Sequence, residues 1–329
     1  MGSSFEARGR IFLMSSKKNT VDLVIPIFNE EGVVEHTHKR ICGVVDSLAY
    51  EFHFIYVDDG SSDGTADTLR IISANDPRVT VIELSRNFGH QAALTAGLDA
   101  STAEIVVSLD GDGQHPPEVI PQMLGFVSQG FDIVQGQRAE ASDPSIFKNV
   151  TSKIFYSLLN LVSGTTVLPG AADFRAMSRQ AVDGLKSMPE YHRFLRGMVS
   201  WMGYKAVILP YQETNRIAGK SKYSLGKMIR LASDAIFSFS LTPLYIGLST
   251  GFLFLILACV QIAYVSNLWL TGQFDRIVPG WSSLMAIILI ASGTIMILLG
   301  FIGVYIGYIF QEIKRRPVYL IRGENKNEQ

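Results

Sequence analysis

Cysteine is almost missing: 329 residues contain two, Cys42 and Cys259. One falls in an expected helix and the other in an apolar run, so no disulfide is expected and a reducing compartment fits. An excess of charge of one sign is also missing. Lys and Arg number 29 against 30 Asp and Glu, a net charge of −1, so no nucleic-acid partner is expected. The six histidines form no cluster with ligand spacing, which argues against structural zinc. No signal peptide is expected in residues 1–19. Residues 1–19 read as a polar tail with Arg8, Arg10, Lys17 and Lys18 and no apolar core, and Met14 can serve as a start. There is no internal repeat and no low-complexity segment. Apolar residues are not scarce: they make up 47% of the chain, and the surplus sits in the last third.

From Val21 the chain alternates strand and helix patterns. Strands are expected at Val21–Ile27, Phe52–Asp58, Val79–Leu84, Ile105–Leu109 and Phe131–Gly136. Short ones are expected at Ala172–Met177 and Ala206–Leu209. Helices are expected at Glu30–Leu48, from about Asp63, at Phe88–Ala100, from Pro117 and at Ile146–Leu161. This order predicts an α/β domain over 20–223, with a mostly parallel, doubly wound sheet and helices on both faces.

After about Tyr223 the pattern changes. Leu225, Met228, Ile229, Ala232, Ala235, Ile236 and Phe239 recur at helical spacing beside Lys222, Lys227 and Arg230. An amphipathic helix over 224–243, lying in the membrane interface, is expected. Leu244–Leu270 and Leu284–Phe310 hold no Asp, Glu, Lys or Arg and exceed the ~20 residues that cross a bilayer, so two transmembrane helices are expected. Basic residues flank the pair on both outer sides, ending with Lys314, Arg315, Arg316 and Arg322. The positive-inside rule then places the α/β domain and the tail 311–329 in the cytoplasm and the linker 271–283 outside.

The residues that carry chemistry lie at strand ends. The fourth strand runs into Asp110-Gly111-Asp112-Gly113-Gln114-His115-Pro116-Pro117. Two carboxylates and an amide oxygen make a hard oxygen site suited to Mg2+ or Mn2+ and a diphosphate; a plain surface turn is the alternative. Ligands of an open α/β sheet sit beyond the carboxyl ends of its strands. The first strand ends in Pro26-Ile27-Phe28-Asn29-Glu30-Glu31, where Phe28 can lie against a base or ribose. Asn29 and Glu30 offer polar contacts there, and Asn29 also suits a helix N-cap. The second strand ends in Asp58-Asp59-Gly60-Ser61-Ser62-Asp63-Gly64-Thr65, whose carboxylates can accept from a ring N–H of a base.

The runs IPIFNEE, VDDGSSDGT, SRNFGHQAAL and DGDGQHPPE, followed by Ala172–Arg175, Arg193–Gly197 and Arg216–Tyr223, resemble the family 2 glycosyltransferases of the GT-A fold. More narrowly they resemble the polyprenyl-phosphate branch, which includes dolichol-phosphate mannose synthases and bacterial undecaprenyl-phosphate glucosyltransferases. The likeness runs from about Val21 to Arg316. It implies nucleotide contacts at Pro26, Phe28, Glu30 and Asp59, joined by Asn29 and Asp110, and a metal held by Asp110, Asp112 and Gln114. The usual family pattern there is D-A-D-L-Q, and here glycines replace Ala and Leu, which is expected to loosen the loop. It implies acceptor-phosphate contacts at Arg138, Arg216, Ser221 and Lys222, and a catalytic carboxylate at Asp173 acting with Asp112 and Arg216. Arg193 and Arg196 are read as phosphate contacts or surface charges, and His90 and His115 as orienting or structural. The implied reaction is inverting transfer of a sugar, glucose from UDP-glucose in first place, to undecaprenyl or another polyprenyl phosphate. The implied setting is the cytoplasmic membrane, with a separate flippase downstream and room for a homo-oligomer. UDP-N-acetylglucosamine and GDP-mannose are alternative donors, and a non-catalytic nucleotide-sugar sensor is the alternative class. A haloacid-dehalogenase phosphohydrolase fits poorly, because Gln114 stands where its motif needs Thr. A processive polysaccharide synthase fits poorly, because Q-x-x-R-W and further spans are missing.

Overall fold

The computed structural model describes residues 19–139, 171–214, 242–272 and 280–325. Its centre is an eight-stranded sheet. Strands β1 (Thr20–Ile27), β2 (Glu51–Asp58), β3 (Val79–Leu84) and β4 (Ile105–Ser108) are parallel, with β1 between β2 and β4. Strands β5 (Ile133–Arg138) and β7 (Ala206–Tyr211) pair in parallel, and β6 (Ala171–Ser178) joins that pair to β4 by running antiparallel to both β4 and β5. The order is β7-β5-β6-β4-β1-β2-β3-β8, closed at one edge by β8 (Ile321–Asn325), antiparallel to β3. The sheet is thus mixed and mostly parallel, with the βαβ order that the sequence predicts.

Helices cover both faces because successive strand residues point to opposite sides. Val21, Leu23, Ile25 and Ile27 face α1 (Glu31–Val45), α2 (Thr65–Asn75) and α4 (Ile120–Ser128). Val24, Ile55 and Val57 face α3 (His90–Ala100), α5 (Arg179–Lys186) and α6 (Leu195–Trp201). In α1 the buried Val33, Val34, Thr37, His38, Ile41 and Val45 follow the three- and four-residue spacing of one helix face. Ser178 begins α5 as its N-cap, its hydroxyl oxygen accepting from Ala181 N at 3.3 Å.

Several expected boundaries shift. The strand expected at Phe131–Gly136 is β5, which ends at Arg138, and the one at Ala206–Leu209 extends to Tyr211. The helix expected from Pro117 begins as a 3-10 turn, Pro117–Val119, before α4. Asn29 does not cap α1. It takes φ 53°, and its side-chain oxygen accepts from Ser62 N at 2.8 Å, bracing the loop after β2 instead. Helices α5 and α6 and strand β8 were not anticipated. The helix expected at Ile146–Leu161, the interfacial helix at 224–243, and Arg216, Ser221 and Lys222 lie outside the described residues.

Two long helices follow the domain, α7 (Thr242–Leu270) and α8 (Trp281–Ile313). Among the described residues one stretch, Ile290–Ile313, is long and apolar enough to cross a membrane, in place of the two spans expected. Polar residues recur along α7, at Ser249, Thr250, Gln261, Ser266 and Asn267. The helices pack where Gly247 is buried against Leu298; a methyl group at Gly247 would overlap the Leu298 side chain. Around that contact Leu248, Phe252, Leu257, Ile287, Ile295 and Met296 are exposed, an apolar surface far larger than a water-soluble monomer leaves bare.

Candidate active site

The loop after β4 forms the floor of the site. Gly111 packs where any Cβ would overlap the Ile27 side chain, and Gly113 has φ 76°, a left-handed conformation that Leu would strain. The glycines that stand where D-A-D-L-Q has Ala and Leu thus fit a turn packed close to the end of β1 with one left-handed residue. Gln114 N donates to Asp112 Oδ1 at 3.1 Å, and Thr214 N donates to the Gln114 carbonyl at 3.0 Å. These bonds hold the three expected metal ligands in one short turn beside β1.

His115 supports that turn from below. It is buried, stacked on Phe174 at 5.0 Å with its edge toward Tyr211. Its Nδ1 accepts from Asp110 N at 2.9 Å, so the neutral ring carries its proton on Nε2, 3.6 Å from Asp110 Oδ2. Burial holds its pKa below the usual histidine value, against the pull of Asp110. The other carboxylate oxygen, Asp110 Oδ1, is buried without a hydrogen-bond partner. A bare, buried carboxylate oxygen is costly. Set beside Asp112 and Gln114, it is a donor suited to a hard divalent cation.

Asp173 on β6 is the electrostatic hub. It is 2% exposed. Its Oδ1 accepts from Arg175 Nη2 at 2.8 Å and from Arg196 Nε at 3.3 Å. Its Oδ2 accepts from Arg196 Nη2 at 3.0 Å and Gln91 Nε2 at 3.3 Å, with His90 Nε2 3.3 Å away. Burial alone would raise its pKa, but Arg196, His90 and Arg175 hold it well below the usual carboxylate range. His90, the first residue of α3, bridges the two carboxylate centres, with Nε2 also 3.5 Å from Asp110 Oδ1. Burial pulls the imidazolium down, yet Asp110 and then Asp173 raise its pKa to about 9. Gln91 was missed in the sequence; its Oε1 accepts from Leu195 N at 3.2 Å and so ties α6 to the hub.

A raised folded-state pKa gives stability that is full below the ordinary histidine value of ~6.5 and is lost as pH rises through about 9. With 42% of the His90 side chain exposed, water screens both pairs and the loss is about 1 kcal/mol at most. Thermal melts of chelator-treated protein are expected to fall between pH 7 and 9.5, and His90→Gln is expected to flatten that slope. A variant with the wild-type slope would reject the assignment.

The remaining candidates sit around these centres. Asp59 is buried and accepts from Phe88 N at 2.7 Å and Gly89 N at 2.9 Å, so its carboxylate anchors the start of α3. Pro26 is buried at the end of β1, and Phe28 and Glu30 are half-buried just beyond it. Glu30 N donates to Thr65 Oγ1 at 3.0 Å. Arg138 ends β5 beside the Asp110 turn and pairs through Nε with Glu213 at 2.8 Å. The structure thus brings the ends of β1, β2, β4, β5 and β6 to one edge of the sheet.

The sequence model of Glycosyl transferase family 2 matches residues 22–185. An uncharacterized glycosyltransferase, YkcC of Bacillus subtilis, is 38% identical over 91% of this chain and 92% of its own. This chain belongs to glycosyl transferase family 2. Within the family it is similar to the prophage bactoprenol glucosyl transferase homolog of Escherichia coli, at 36% identity over 93% of this chain and 99% of that protein. The bactoprenol glucosyl transferase of Shigella phage SfX is 35% identical over 92% and 98%. Among solved structures, glucosyl-3-phosphoglycerate synthase from Mycobacterium tuberculosis, in complex with Mn2+, UDP and glucosyl-3-phosphoglycerate, aligns at 19% identity with a TM-score of 0.46. That alignment covers 67% of this chain and 78% of that one.

Proposed function

We propose that this member of the family transfers glucose from UDP-glucose to bactoprenol phosphate, the undecaprenyl phosphate of the membrane, with inversion at the anomeric carbon. The observation that carries the reading is the paired centre at the sheet edge. A carboxylate turn fit for a divalent ion lies one histidine away from a buried carboxylate ringed by cations. Similarity to proteins named bactoprenol glucosyl transferases over 98–99% of their length supports the choice of sugar and acceptor.

Asp110, Asp112 and Gln114 would hold Mg2+ or Mn2+. The bound ion would stabilise negative charge on a departing diphosphate. Pro26, Phe28, Asn29, Glu30 and Asp59 line the side on which the nucleotide would lie. The acceptor phosphate has a second pKa near 6, so at neutral pH its oxygen attacks without surrendering a proton. That oxygen forms the new bond to C1 as the C1–O bond to the diphosphate breaks, and the electron pair leaves with UDP. The chain's task is to bring two anionic groups together, which cations do. Arg138 and Arg196 are placed for it, and Arg216, Ser221 and Lys222 are assigned to it from the resemblance. With two arginines, a glutamine and His90 on its two oxygens, Asp173 orients cations and need not act as base.

The sheet supports a reading of the membrane topology. β8 comes after α8 yet pairs with β3, which precedes α7. A chain that crosses at α8 and still returns to β3 is served by a second crossing at α7, with the domain and tail in the cytoplasm and 271–283 outside, and this is the topology assigned to the proposed enzyme. On that topology a separate flippase acts downstream.

The test is purified full-length protein with undecaprenyl phosphate, Mg2+ or Mn2+, and a panel of UDP-glucose, UDP-N-acetylglucosamine and GDP-mannose. Labelled lipid from UDP-glucose alone is the expected result. Transfer from another donor would change the sugar, and donor binding without transfer would favour a sensor.

A further inference from the structure

The end of α8 is built into the active site. Residues 190–196 form a strap between the two. At one end Tyr191 N donates to both carboxylate oxygens of Glu312, at 2.9 and 3.0 Å. Beside it the His192 ring lies 4.5 Å from the ring of Tyr308, one helical turn before Glu312. At the other end Leu195 N donates to Gln91, and Arg196 is bonded to Asp173. Between these ends Arg193 reaches the Met188 carbonyl at 2.7 Å, while Glu190 Oε2, His192 Nε2 and Arg193 Nε are shielded from solvent without a hydrogen-bond partner. The strap is thus fastened to α8 on one flank and, through the buried Leu195 and the Asp173 hub, to the domain on the other.

We propose that Glu312 and Tyr308 are positioning residues of the transferase: they seat the strap, and through Arg196 they set the site where the acceptor phosphate is received. This inference rests on the transfer reaction proposed above. Its chemistry is simple. A carboxylate that accepts one backbone N–H at two oxygens fixes the direction of that peptide unit. A ring contact one turn away then prevents the strap from pivoting about it. Arg196 sits five residues on, with 22% of its side chain exposed, so a shift of the strap moves a cation at the reaction centre. With α8 read as a membrane-crossing helix, its depth and the position of the cation are mechanically linked.

The experiment uses full-length protein in phosphatidylethanolamine–phosphatidylglycerol nanodiscs, with Glu312→Ala, Glu312→Gln, Tyr308→Ala and Tyr308→Phe. Gln keeps an oxygen for Tyr191 N–H, and Phe keeps the ring. Hydrogen exchange of residues 191–197 is expected to quicken in both alanine variants and to stay slow in the two conservative ones. With UDP-glucose saturating, the KM for undecaprenyl phosphate is expected to rise about five- to tenfold in the alanine variants, the range that one lost hydrogen bond or contact implies. The KM for UDP-glucose and the kcat are expected to stay within about twofold, below the effect of one such contact, and Gln and Phe to restore the acceptor KM. Wild-type exchange in both alanine variants overturns the proposal, as does a fall in kcat with the acceptor KM unchanged. If wild-type protein transfers no sugar to the lipid, the function reading fails, and the exchange measurement alone then decides whether α8 seats the strap.

Discussion

Asp112→Ala is expected to lower lipid-linked glucose formation by about a hundred- to a thousandfold, the range seen when one group stabilising transition-state charge is removed. The bond from Gln114 N to Asp112 Oδ1 is lost, but Thr214 N still holds the Gln114 carbonyl, and Gly111 and Gly113 keep the backbone of the turn. The variant should therefore fold with a melting temperature lowered only slightly from wild type. On the proposed reading it loses one of two carboxylates assigned to a divalent ion, so Mn2+ binding, read by electron paramagnetic resonance or calorimetry, should weaken together with turnover. Turnover near wild type at saturating Mn2+ would remove Asp112 from the metal site. The alternative reading of this stretch as a plain surface turn predicts that outcome.

Asp173→Ala is expected to abolish transfer and also to destabilise the domain. Arg175 is 1% exposed, and Asp173 is its charged partner at 2.8 Å. Removing one member of a buried pair leaves the other uncompensated and costs about 3–5 kcal/mol. The sign with pH is fixed by the depressed pKa of Asp173. Its stabilising contribution is present above the unfolded value of ~3.9 and is lost only as pH falls through its lower folded value. Wild type and variant should therefore differ by a constant amount from about pH 5 to 6 and converge in strong acid, while above that range the difference narrows as His90 loses its charge. Asp173→Asn separates structure from chemistry. It keeps the shape and one acceptor oxygen, removes the charge and sets an NH2 donor among donors, so it should melt between the other two. If Asp173 is a proton acceptor, the pH dependence of kcat should disappear in the Asp173→Asn variant; if it orients cations, the profile should keep its shape at a lower level. Full activity in either variant would remove Asp173 from the mechanism.

The parallel strands β1 to β4 were legible because each is a short run with β-branched residues bounded by turn residues, as in Ile105–Ser108. The carboxylate turn was legible because Asp-Gly-Asp-Gly-Gln is dense in chemistry. Its geometry was not. Why Gly111 must be glycine depends on Ile27, far away in sequence, and only tertiary packing brings them together. The hub around Asp173 was half legible. Asp173 and Arg175 alternate on one face of a strand, but Gln91 and Arg196 arrive from α3 and α6, and no local spacing links them. Of the two roles that residue type allowed for Asn29, a polar contact or a helix cap, the left-handed backbone and the Ser62 bond remove the cap. The tail looked like a plain basic flank because Ile321–Asn325 has little alternation of its own. It becomes a strand only by borrowing the edge of β3.

That borrowed edge makes the two long helices α7 and α8 an insertion within a folding unit, not an appendage to it. A fragment trimmed before α7 would leave β3 with an open row of amides and carbonyls, the template on which sheets of separate molecules join. The helical pair is therefore tied, through the strand that follows it, to the sheet's guard against self-association.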